Sequence, residues 1–87
     1  MKTAFILMAQ YDGKAIVPVE DVCHDYFRHL NVEGFLRKVM LGEIKLPIVR
    51  MEGSNKTAKG VHINDLAAYL DRAAEAARKE CEQLNSR

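Results

Sequence analysis

The sequence predicts a mainly α-helical domain with one small β-hairpin, arranged as a winged helix-turn-helix with a long C-terminal helix. Three observations carry that prediction. Two amphipathic stretches, 18–29 and 32–41, are separated by one or two residues, a connection short enough for a helix-turn-helix corner. Two short apolar runs then flank the polar stretch EGSNKTAKG at 52–60, the pattern of a hairpin. A final Ala- and Leu-rich segment keeps helical spacing to about residue 84.

The 87 residues are enough for one domain with one modest core, so 1–87 is read as a single unit. With 48% hydrophobic and 29% charged residues, the composition is that of an ordinary globular protein and excludes a wholly disordered chain. No apolar run approaches the roughly 18 residues of a membrane span. Ala4 to Ala9 is too short for a secretory core, and no small-residue cleavage site follows it. Cys23 and Cys81 belong to no CxxC pair and read as thiols of a reducing cytoplasm.

In TAFILMAQY, residues 3–11, Ala, Leu, Met and Gln favour a helix, while Phe5 and Ile6 leave a strand open. Asp12-Gly13 makes a turn. AIVP either adds a strand or leads directly into a helix. Pro18 suits a first helical position, and Glu20 and Asp21 suit the positive end of the helix dipole. Val19, Val22, Cys23, Tyr26, Phe27 and Leu30 then follow three-and-four spacing, giving helix 18–29.

Asn31 is placed to cap the next helix, with Leu30 and Phe35 at the spacing of a hydrophobic staple. Phe35, Leu36, Val39 and Met40 form its apolar stripe, and Gly42 fits the left-handed position beyond its end. Pro47 lacks a ladder donor and belongs at a strand start, followed by Ile48 to Met51. Val61 to Ile63 is the returning strand. Asn64 is expected to cap the last helix, which would span roughly 31 Å.

Charge is unevenly distributed. Residues 28–62 hold seven cations against three anions, while the rest of the chain holds six cations and nine anions. A basic middle between acidic ends suggests one electropositive face aimed at a polyanion, a solvated surface being the plainer alternative. With Phe35, Leu36, Val39 and Met40 turned inward, Glu33, Arg37 and Lys38 are left outward. Arg37 has the donor geometry to read guanine or hold a phosphate, and Glu33 can accept from a cytosine amino group. The bland reading is a surface ion pair between them. In the loop, Asn55, Lys56, Thr57 and Lys59 combine charge with short hydrogen-bonding side chains, suited to a phosphate backbone or a minor groove. Arg28, Asn31, Lys45 and Arg50 complete the candidate DNA-contacting set.

His24, His29, His62 and the two cysteines lack metal-finger spacing, so no metal or other cofactor is expected. GxSxG, HExxH and phosphate-binding glycine loops are absent, and an enzyme is not expected. In the last helix, Leu66, Leu70, Ala73, Ala77 and Leu84 lie at near-heptad steps, interrupted by Glu80. Glu75–Lys79 and Arg78–Glu82 have the spacing of flanking ion pairs. Its first half should pack on the domain. Its second half, with Ala73, Ala77, Cys81 and Leu84, is the candidate dimerisation surface, against the alternative of a monomeric helix.

Taken together, TAFILMAQYDGKAIVPVEDVC, DYFRHL, FLRKVMLGEIKLPIVRMEGSNKTAKGVHINDLAAYLD and EAARKE resemble the pyocin activator (PrtN) family, over nearly the whole chain from Thr3 to about Glu80. The order of motifs is similar, more distantly, to excisionase-like winged-helix domains. The first resemblance implies a bacterial transcriptional activator, cytoplasmic and nucleoid-associated. It would bind double-stranded DNA upstream of phage-tail-like bacteriocin genes under control of the DNA-damage response, and touch RNA polymerase through a second surface. On the reading of the residues themselves, helix 32–41 would enter the major groove and wing 52–60 would follow the backbone or minor groove. The rivals are an architectural protein that bends DNA in the excisionase manner and a protein-interaction module such as an anti-repressor.

Overall fold

The computed structural model describes residues 2–53 and 57–86. Its elements run α1 (Thr3–Gln10), β1 (Ile16–Pro18), α2 (Val19–Tyr26), α3 (Val32–Met40), β2 (Val49–Arg50), β3 (Lys59–His62) and α4 (Ile63–Asn85). The strands form an antiparallel sheet in the order β1-β3-β2. A helix-turn-helix followed by a hairpin, with the early strand closing the sheet, is a winged helix-turn-helix arrangement. Among the described residues no helix is long and apolar enough to cross a membrane.

Residues 3–10 are helical, and AIVP resolves to a strand. Val17 pairs with Val61, and both are fully buried. Pro18 ends β1 with extended backbone and stands as the N-cap of α2, one position earlier than the sequence suggests. The helix stops at Tyr26, short of residue 29. Phe27 leaves helical backbone, and the chain turns through 27–30 with the Leu30 amide donating to the Phe27 carbonyl. That turn sets the α2–α3 corner. The Cys23 thiol lies 3.3 Å from the Leu30 carbonyl inside it, and burial pushes this thiol's pKa up.

Asn31 caps α3 as its position predicts, its Oδ1 accepting from the Gly34 amide at 2.7 Å. At the other end Gly42 takes φ +77°. Its amide donates to the Val39 carbonyl, and the Glu43 amide donates to the Lys38 carbonyl. This is a Schellman ending. The Lys38 ammonium closes the same turn on the Glu43 carboxylate at 3.1 Å. Ile44 and Leu46 then point into the core and Lys45 points out.

The hairpin strands are shifted from their expected places. β2 is only Val49–Arg50, whereas β3 begins at Lys59, within the stretch read as loop. β3 is longer because it is the central strand, with a ladder on each side. Gly60 is where the sheet is tightest. A Cβ there would lie 2.5 Å from Ile16 Cγ2 and 2.8 Å from the Val17 carbonyl oxygen, so only glycine fits.

The cap of α4 is His62 and not Asn64. The His62 ring accepts from the Asn64 amide through Nδ1 at 3.0 Å, and Ile63 is already helical. Phe27 joins the layers, its ring 4.8 Å from that of Phe35 and 5.6 Å from that of Tyr69. Leu7, Val22, Leu46, Val61 and Leu66 belong to the same buried core. α1 lies along the first half of α4, with the Thr3 hydroxyl donating to Asp71. Beyond Asp71, α4 carries exposed residues apart from half-buried Ala74, and the molecule reaches 53 Å in its long dimension. Arg78 turns back to Glu75 at 3.3 Å, not forward to Glu82 as the sequence spacing suggested.

Candidate nucleic-acid interface

α3 is fixed from below. Phe35 is fully buried, and Leu36 and Val39 are half-buried against the core. Arg37 lies almost opposite Phe35 and Val39 around the helix, since each residue advances about 100°. It is exposed, as is Glu33 one turn earlier, and no ion pair joins the two among the described residues. Met40 departs from its expected core position and is 79% exposed. It stands five residues beyond Phe35, about 140° round the helix, and so falls on the outer face.

Beside α3 lies the sheet. A groove of about 560 Å³ separates the C-terminal half of the helix from β2 and β3, with Leu36, Met40, Leu46 and Ile48 in its walls. Lys45, Arg50 and Lys59 also line it. A second hollow opens toward β1, where Leu36 and Lys59 recur with Met51 and Thr57. Arg50 and Lys59 are cross-strand partners at the hairpin base. Lys45, Arg50 and Lys59 thus line an apolar trough from the connecting loop and the hairpin, while Arg37 stands on the neighbouring outer face of α3, in a shallow hollow with Glu33 and Met40.

The other sequence-selected residues have more divided roles. The carbonyl oxygen of the Asn31 side chain is engaged by the α3 cap. Lys38 is half-buried and tied to Glu43, so a structural duty competes with any contact outside the chain. Arg28 is exposed in the corner before α3, sharing a hollow with Leu30 and Asn31. Lys45 is exposed while its carbonyl accepts from Arg72 Nη2 at 3.1 Å. Asn55 and Lys56 lie outside the described residues. Ala73, Ala77, Cys81 and Leu84 are all exposed on the projecting half of α4.

A polar cluster away from this face holds α1 against α2. The Tyr11 hydroxyl donates to Asp25 Oδ2 at 2.6 Å, and the Tyr26 hydroxyl donates to Gln10 Oε1 at 2.8 Å. The Tyr11 bond, helped by His24, holds the Asp25 carboxyl below its ordinary range. Burial, then the Asp25 carboxylate, pushes the Tyr11 phenol well above its own. These groups lock the scaffold that presents α3.

The exposed Met40 and Met51 are the residues sequence reasoning missed. Rotation around α3 measured from Phe35 would have found the first. For the second, the actual short length of β2 was needed.

Comparison with curated proteins and with solved structures finds no match. The sequence profile of one family, described as pyocin activator protein PrtN, matches residues 3–77. That span takes in every element from α1 to the part of α4 that packs on the domain. The chain belongs to the pyocin activator protein PrtN family, and so to a family of regulators of pyocin genes.

Proposed function

We propose that the chain is a sequence-specific DNA-binding activator of pyocin genes, placing α3 in the major groove and the hairpin on the flanking backbone. The observation that carries this reading is the position of Arg37. It stands exposed on the outer face of a rigidly seated helix, beside a hairpin whose base carries Arg50 and Lys59. A guanidinium there can make two hydrogen bonds to a guanine edge, while cations at the rim hold phosphates and set the register. The capped start and Schellman end of α3 keep it from fraying as it enters a groove.

A second copy would pair through the projecting half of α4, where Ala73, Ala77, Cys81 and Leu84 are uncovered. Two copies double the contacts and read two half-sites. Activation also requires a surface that meets RNA polymerase, for which the acidic first turn of α2, Glu20 and Asp21, and the outer face of α4 are the candidates. Hydroxyl-radical footprinting of DNA upstream of pyocin genes tests the reading. Protection confined to one helical face at a discrete site supports it. Protection repeating over adjacent segments favours the architectural role. No protection, with capture of an acidic protein through the same cations, favours the interaction module.

A further inference from the structure

Met40 is a large apolar side chain held 79% exposed, and it is not an isolated surface methionine. It lines both the shallow hollow on the outer face of α3, with Glu33 and Arg37, and the groove that runs to Arg50 and Lys59. It therefore sits between the central cation of the helix and the cations of the hairpin. On the groove side the charged lining residues are Lys45, Arg50 and Lys59, and a cationic rim beside exposed apolar atoms matches a polyanion that carries an apolar group at its centre. In a DNA major groove that group is the thymine 5-methyl, which lies between the two phosphate backbones.

We infer that Met40 packs on a thymine 5-methyl group and makes the chain selective for thymine at one position beside the base met by Arg37. The inference rests on the proposed DNA reading and adds a specificity-determining residue to it. Met40 suits the task because its unbranched thioether can adapt to a methyl without a fixed hydrogen-bond geometry. Its exposure also means that replacing it leaves the core untouched.

The test uses the full chain and a duplex selected by it from a random-sequence pool, with each thymine replaced in turn by deoxyuridine. That change removes one methyl and keeps every hydrogen-bonding edge. At one thymine per bound copy, loss of the methyl should weaken binding about fourfold, the worth of one buried carbon. Met40→Ala should bind the two duplexes equally, Met40→Leu should keep the preference, and Arg37→Ala should keep it on a weaker background. Equal binding of thymine and deoxyuridine duplexes at every position by the unaltered chain overturns the inference. So does a preference that survives in Met40→Ala. A pool from which no duplex is enriched overturns the DNA reading itself, and this inference with it.

Discussion

Arg50 and Lys59 are Cα partners in the β2–β3 ladder, so two cations stand opposite each other on one face of the hairpin base. Arg50→Glu places an anion on that face and should weaken DNA binding. Replacing both cations by alanine should lower the salt dependence of binding by up to about two counterions. Calorimetry and a salt titration read the two effects, and an unchanged salt slope would take the hairpin base out of the interface.

Arg37→Ala should cost about 1–3 kcal/mol of binding and relax the preference at one base position. Stability should stay within about 0.5 kcal/mol, because the side chain is exposed and forms no ion pair among the described residues. Binding to a panel of single-position operator variants checks this. Equal weakening on every sequence would make Arg37 a phosphate contact.

Gly60→Ala should destabilise the domain by about 1–3 kcal/mol. Its methyl would meet Ile16 Cγ2 and the Val17 carbonyl, and the latter is backbone that cannot rotate away. The loss should appear in thermal melting and in hydrogen exchange of the β1–β3 amides. Exchange at the α3 amides should respond less.

The Tyr11–Asp25 hydrogen bond predicts stability that falls in both acid and alkali. The Asp25 carboxyl is depressed in the fold, so its contribution is complete above the ordinary value of 3.8 and is lost as pH falls through the lower folded value. The Tyr11 phenol is raised, so stability declines once pH exceeds the ordinary value of 10.0, where the unfolded phenol ionises and the folded one does not. Tyr11→Phe should cost about 1 kcal/mol near neutrality and flatten both limbs. Denaturation midpoints measured across pH check the pair of limbs together.

A chain ending at Ala74 should keep the fold, because residues 75–86 are exposed. If a second copy pairs there, that chain should lose about a hundredfold or more in DNA affinity. Sedimentation should show it as a monomer where the full chain is a dimer. Unchanged affinity and mass would leave the projecting helix without a pairing role.

The legible parts of this fold are those governed by local chemistry. Asn31 at a cap, Gly42 at a helix end and the spacing of Val19, Val22, Cys23 and Phe27 act within one or two turns, and the structure reproduces each. Less legible are features set by distant partners. AIVP becomes a strand because β3 offers it a ladder, and β3 starts early because Arg50 of β2 pairs with Lys59. His62 displaces Asn64 as the cap because that ladder holds residue 62 in extended backbone. On the candidate face, Arg37 and Glu33 followed from helical periodicity. Met40 did not, because its apolar character concealed a position on the outer face.

Binding of the full chain to duplex DNA from upstream of pyocin genes, compared with scrambled duplex over a salt series, tests the central claim most directly. Tight binding that prefers the upstream sequence and weakens steeply with salt is the result predicted. Equal, weak binding to both duplexes would contradict it.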